Sequence, residues 1–156
     1  MDQTVWMGKA VDLAVENVLS NHGGPFGAIV LKDGKIIGTG RNEVTTKNDP
    51  TAHAEVQAIR EACQNLGSFQ LTGCELYTSC EPCPMCLGAI FWARPDKVYF
   101  GYTKEDAAKA GFDDDFIYQQ IKLPYEQRAI PFYRVSPERE KGPFEAWKES
   151  ANRVDY

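Results

Sequence analysis

The chain has 156 residues, 43% of them apolar and 25% charged, with a net charge of −5. That length suits one domain with a core of its own, and the composition is that of an ordinary globular protein. No apolar run approaches the roughly eighteen residues of a membrane span, and no basic-then-apolar leader follows Met1, so neither membrane insertion nor a signal peptide is expected. The acidic balance weighs against extended contact with nucleic acid, where Lys and Arg neutralise phosphates. Five cysteines are an odd number, and two sit in a metal-type spacing. That favours a reducing compartment, the cytoplasm, over a disulfide framework.

Val11, Ala14, Val15 and Val18 recur at i, i+3, i+4 and i+7 and predict a first helix with one apolar stripe. Asn21-His22-Gly23-Gly24-Pro25 ends it. A hairpin follows: Phe26 to Leu31, the turn Lys32-Asp33-Gly34-Lys35, then Ile36 to Gly40. Residues 42–48 read as a polar loop. Asp49-Pro50-Thr51 opens a helix that runs to Leu66 and stops at Gly67. Glu75 to Thr78 reads as a strand, Pro82 to Ala93 as a helix ended before Pro95, and Lys97 to Gly101 as another strand. Strand and helix thus alternate from residue 70 to about 105, the α/β pattern of a sheet with helical crossovers. Asp106 to Ala110 and Phe116 to Ile121 are short helical candidates on either side of Asp113-Asp114-Asp115, and Pro143 to Asn152 is a last one. No repeat, low-complexity tract or linker divides the chain, so residues 1–156 are expected to form a single domain.

The chemistry is concentrated in His53-Ala54-Glu55 and Pro82-Cys83-Pro84-Met85-Cys86. One imidazole and two thiolates make a good ligand set for Zn²⁺, and three protein ligands leave the fourth tetrahedral position open, as in catalytic rather than structural sites. Glu55 lies two residues from a ligand, placed to move protons. His53 and Glu55 do not share a helical face, but side chains tilt toward the N-terminus and converge there. Cys83 and Cys86 do share a face, in a first turn whose positive end favours thiolate. A closed Cys₃His site that also uses Cys80 is the competing reading; it has no use for Glu55. Cys63 and Cys74 read as buried apolar residues and His22 as a surface or turn residue.

These segments carry the H-x-E…P-C-x-x-C signature and resemble the zinc-dependent deaminases of the cytidine-deaminase-like superfamily. The resemblance covers most of the chain. It implies a three-layer α/β/α sandwich with a central mixed sheet, Zn²⁺ on His53, Cys83 and Cys86, and Glu55 as proton carrier. Asp49 to Glu55 and Glu81 to Ile90 look like both bacterial guanine deaminases and tRNA adenosine deaminases, so they fix the chemistry and leave the substrate open.

The rest of the chain resembles the guanine deaminase branch, through Ala107 to Tyr118 and the tail ending in Asp155-Tyr156. That likeness implies hydrolysis of guanine to xanthine and ammonia. It puts Phe26, Asn42, Ala54 and Tyr156 at the base pocket and Asp114 beside Glu55 as a second catalytic carboxylate. Each has a plainer reading: Phe26 in the core, Asn42 in a turn, Asp114 in a helix cap, Tyr156 on a frayed end. The resemblance also implies a homodimer, and a tail (about 130–156) that closes over its own pocket or is exchanged with a partner subunit. Such a lid favours a free nucleobase over a polynucleotide. A tRNA adenosine deaminase is the alternative enzyme, and a structural zinc module for protein binding is the alternative from another class.

Overall fold

The computed structural model describes residues 2–156. The chain divides into two compact units, the first reaching Asp115 and the second running from Phe116 to Tyr156.

The first unit is built on a four-stranded mixed sheet. Its strands are β1 (Gly27–Lys32), β2 (Lys35–Arg41), β3 (Cys74–Cys80) and β4 (Lys97–Tyr102), in the order β2-β1-β3-β4. β1 runs antiparallel to β2 and β3, and β3 is parallel to β4. Asp33 and Gly34 both have positive φ, 49° and 71°. That is the conformation a two-residue hairpin turn needs, as the Asp-Gly dipeptide anticipates. The apolar run in β1 is buried on both faces because β1 and β3 are central strands. Ala28, Val30, Cys74 and Leu76 pack on one side; Ile29, Leu31 and Tyr77 pack on the other.

Helix α1 (Gln3–Leu19) covers the second of these faces, with Trp6 and Ala10 against Ile29, Leu31 and Tyr77. The expected stripe is displaced. The buried residues of α1 are Trp6, Ala10, Ala14 and Asn17, while Val15 and Val18 are 51% and 45% exposed. Taking about 100° per residue, the buried face is rotated by roughly a quarter turn from the valine stripe. The physical reason is shape. One large ring and two alanines fit a helix laid close on the sheet, and the valines are left on its flank.

The opposite face carries α3 (Ala54–Leu66) and α4 (Pro84–Ala93). A short helix, α2 (Val44–Lys47), interrupts the loop read as irregular. α3 starts five residues after Asp49, because Asp49 accepts from the backbone N–H and hydroxyl of Thr51 at 2.8 and 2.7 Å and closes a turn instead. It ends at Gly67 with φ 63°, as expected. α4 begins at Pro84 rather than Pro82, with Cys83 as its N-cap. Gly38 and Gly40 let α3 rest on β2: a Cβ at Gly40 would stand 2.0 Å from the Ala54 carbonyl oxygen, and one at Gly38 2.5 Å from that of Ala58. α5 (Lys104–Lys109) completes the unit behind a Thr103/Asp106 capping box.

The second unit holds α6 (Asp115–Lys122) from its second residue on, a 3₁₀ turn at Tyr125–Gln127 and α7 (Pro143–Glu149), which stops three residues short of its expected end. Within it, Arg128 stacks over Tyr125 and Phe132, and Trp147 meets Tyr156 edge-on. No helix among the described residues is long and apolar enough to cross a membrane. The mixed sheet with helices on both faces is the α/β/α arrangement expected.

Candidate metal centre and active site

Two helix N-termini converge on one point. His53 is the N-cap of α3, Cys83 is the N-cap of α4, and Cys86 follows in the first turn of α4. His53 Nδ1 lies 3.5 Å from Cys83 Sγ and 3.4 Å from Cys86 Sγ. Among the described residues these three form the one group able to surround a metal ion. A tetrahedral Zn²⁺, with bonds of about 2.3 Å to sulfur and about 2.0–2.1 Å to nitrogen, holds such ligands about 3.5 Å apart. The donor set and its spacing therefore fit zinc, with one tetrahedral position unfilled by protein.

The electrostatics favour thiolate. Cys83 is lowered to about 4, because its sulfur accepts from the Cys86 thiol and lies beside His53, which outweighs burial. Cys86 is pushed up by that same hydrogen bond, by burial and by Glu55. His53 is raised by its bond to Cys83. Negative charge thus gathers on the Cys83 sulfur while Cys86 keeps its proton, and a bound dication would displace that proton and make the second thiolate.

Glu55 is 5% exposed, in the first turn of α3. One carboxylate oxygen, Oε2, is 3.4 Å from Cys86 Sγ; the other, Oε1, accepts from the Thr78 hydroxyl at 3.1 Å. Burial raises its pKa above the ordinary carboxylate value. A buried carboxylate that holds a proton more readily than usual, one contact from the ligand cluster, suits proton transfer.

Cys80 stands outside the cluster. It is the last residue of β3, and its thiol donates to the Thr103 carbonyl at 3.6 Å. Burial pushes it up to about 11. Cys74 is buried in the core and Cys63 packs against it. His22 pairs with Glu43 at 3.0 Å.

Several pocket candidates gather in the first unit. Phe26 is half-buried, packed on the core, and meets Phe112 edge-on at 5.0 Å. That contact brings the 112–114 segment over the start of β1. Asp114 is half-buried; burial raises its pKa, and the charge on Cys83 raises it further. Asn42 is 8% exposed and accepts from the Val44 N–H through Oδ1 at 3.2 Å, leaving Nδ2 as its donor side. Ala54 is fully buried as the first residue of α3, where backbone N–H groups have no intrahelical acceptor. Tyr156 belongs to the second unit, on Trp147.

Sequence reasoning missed Asn17 and Thr78. The fully buried Asn17 amide donates to the carbonyls of Gly24 and Asn42 at 2.8 and 2.9 Å, joining the segments that carry Phe26 and Asn42. Its signal was available: Asn17 is in register with Trp6, Ala10 and Ala14 once that face is recognised. Thr78 carried none, because a strand threonine is common and its partner lies 23 residues away.

The sequence matches the cytidine and deoxycytidylate deaminase zinc-binding region over residues 1–102. The chain belongs to this deaminase family. Within it, the chain is 57% identical to a guanine deaminase of Bacillus subtilis across the full length of both proteins. The X-ray structure of that enzyme superposes with a TM-score of 0.97, covering 100% of this chain and 99% of the other. A guanine deaminase from Nitrosomonas europaea is 32% identical with a TM-score of 0.69, over 72% of this chain and 65% of its own. A tRNA-specific adenosine deaminase of Aquifex aeolicus is 51% identical, but over only 76 residues, 49% of this chain and 50% of that protein. The likeness to the tRNA deaminase thus takes in about half of the chain, and the likeness to the Bacillus subtilis guanine deaminase takes in all of it.

Proposed function

We propose that this protein is a zinc-dependent guanine deaminase, a hydrolase that converts guanine to xanthine and ammonia. The observation that carries the reading is the likeness to the Bacillus subtilis guanine deaminase through all 156 residues. It extends past residue 102, where the shared zinc-binding region ends, and past the stretch matched by the tRNA deaminase. The acidic net charge supports a free base over a polynucleotide.

His53, Cys83 and Cys86 would hold the zinc, which when bound supplies Lewis-acid activation of water. Glu55 accepts the proton of the water that attacks C2 of guanine and delivers it to ring N3. C2 becomes tetrahedral. Glu55 then takes the remaining proton from the new C2 hydroxyl and hands it to the exocyclic amine, the C2–N bond breaks, ammonia leaves, and the C2 carbonyl of xanthine forms. One carboxylate acts as base and then as acid, and the burial that raises its pKa suits it to hold the proton between steps. Phe26 offers an aromatic face to the purine. Asn42 offers Nδ2 to an acceptor on the base edge, and the Ala54 N–H offers a second donor. Asp114 supplies a carboxylate to accept from guanine N–H groups, and Tyr156 belongs to the closing tail. Cys80 outside the cluster and Glu55 against it argue for an open, catalytic site rather than a structural module.

A cytoplasmic location suits five free cysteines. We place the enzyme there as a homodimer whose tail (about 130–156) closes over its own pocket or that of the partner subunit. A groove of about 400 Å³ lined by Val11, Val15, Val18, Phe26 and Phe112 supports an apolar partner for the first unit.

The test is ammonia release by zinc-loaded protein from guanine, adenine, cytosine and an anticodon stem-loop. Guanine should be turned over and yield xanthine. Turnover of the stem-loop with none of guanine would overturn the substrate and keep the chemistry.

A further inference from the structure

The end of β3 reaches the site through a residue that is neither a metal-ligand candidate nor a base-contact candidate. Thr78 is 1% exposed. Its Oγ1 lies 3.1 Å from Glu55 Oε1 and 3.1 Å from the carbonyl oxygen of Cys80. We propose that Thr78 is a positioning residue: its hydroxyl pins Oε1 of Glu55 against β3, so that Oε2 is the oxygen presented to the ligand cluster. This rests on the reading of Glu55 as proton carrier.

The argument is geometric. The two carboxylate oxygens are chemically equivalent, and the last side-chain torsion of a glutamate is broad, so an untethered carboxylate samples many orientations. Here the oxygens have different partners: Oε1 has a hydroxyl, and Oε2 has Cys86 Sγ at 3.4 Å. Threonine is stiff about its first torsion. It stands on a central strand paired on both sides, Thr78 to Ala28 of β1 and to Phe100 of β4. The hydroxyl has one proton: it donates to Oε1 when Glu55 is ionised, and when Oε1 carries the proton it accepts from Glu55 and donates to the Cys80 carbonyl 3.1 Å away on the same strand. The tether is therefore rigid at the sheet end and ends on the one oxygen that does not meet the ligands. Proton transfer from water to ring N3 and on to the exocyclic amine depends steeply on the alignment of the carrier. Loss of the tether should thus act on turnover rather than on binding of the base, whose candidate contacts, Phe26 and Asn42, lie on other elements.

The experiment compares zinc-loaded wild type, Thr78→Val, Thr78→Ser and Glu55→Gln in steady-state assays on guanine, with zinc content measured for each. Valine keeps the shape and removes the hydroxyl; serine keeps the hydroxyl. Thr78→Val should keep one zinc per chain and a KM within about twofold, and lose about 10- to 100-fold in kcat, the range for removing a hydrogen bond to a charged group. Thr78→Ser should restore most of that loss. If the valine variant is not soluble, Thr78→Ala against Thr78→Ser gives the same comparison. A Thr78→Val kcat near wild type, with Glu55→Gln inactive, would overturn the proposal and leave Glu55 in its role. So would loss of zinc, or a rise in KM alone. Turnover retained in both Thr78→Val and Glu55→Gln would overturn the proposal together with its premise.

Discussion

Replacing Gly40 by alanine should disturb the metal site without touching any ligand. A Cβ at Gly40 would lie 2.0 Å from the Ala54 carbonyl oxygen, 2.5 Å from the Ala58 amide nitrogen and 3.0 Å from Gln57 Cβ. Ordinary contact begins at about 3.4 Å, so the N-terminal half of α3 would have to withdraw by roughly 1.4 Å at its closest point. Two of the three obstructing atoms are backbone, and no side chain can rotate to relieve them. Overpacking of this kind costs about 3 kcal/mol, the upper end of the usual range, which is a fall in Tm of roughly 6–12 °C for a chain of this length. The same turn of α3 carries Ala54 and Glu55, with His53 as its cap. A displacement of about 1 Å at a reacting group costs on the order of 10² in rate. Calorimetry, zinc content and kcat/KM on guanine should therefore all fall together. Gly88→Ala is the control: nothing lies within 4 Å of a Cβ there, in mid-α4, and it should be neutral or slightly stabilising. A Gly40→Ala protein with wild-type Tm and kcat/KM would refute the idea that the close seating of α3 on β2 sets the site.

Cys80→Ser should keep one zinc per chain and most of the turnover, because Cys80 bonds to Thr103 and not to the cluster; zinc loss matching that of Cys83→Ser would restore the closed Cys₃His reading. Deleting Arg153 to Tyr156 should leave zinc bound and lower kcat/KM on guanine by about tenfold, since a pocket without its closing tail admits water and loses contacts to the base; unchanged kinetics would remove the tail from the mechanism.

Much of this architecture was legible in the sequence because it is local. The Asp33-Gly34 turn, the stop at Gly67 and the alternation of β3, α4 and β4 each depend on neighbours along the chain. The helix starts were placed early, at Asp49 and Pro82, since a side chain that caps a turn and one that caps a helix look alike in sequence. The shift matters to the site: it makes His53 and Cys83 caps, with extended backbones that lead their side chains to a common point. The buried face of α1 was misjudged because valines were weighted above Trp6 and two alanines, and helix propensity says nothing of how closely a helix lies on its sheet. Asn17 and Thr78 were missed for a related reason. Each acts across the fold on a partner that no local pattern names.

The central claim is that Glu55, beside a zinc held by His53, Cys83 and Cys86, carries the proton in the deamination of guanine. The most direct measurement is guanine turnover by zinc-loaded Glu55→Gln, with metal content determined on the same sample. The amide keeps the shape of the side chain and cannot take the proton, so zinc should remain at one per chain while kcat falls by about 10² to 10⁴ or more. Turnover near wild type with zinc retained would contradict the account.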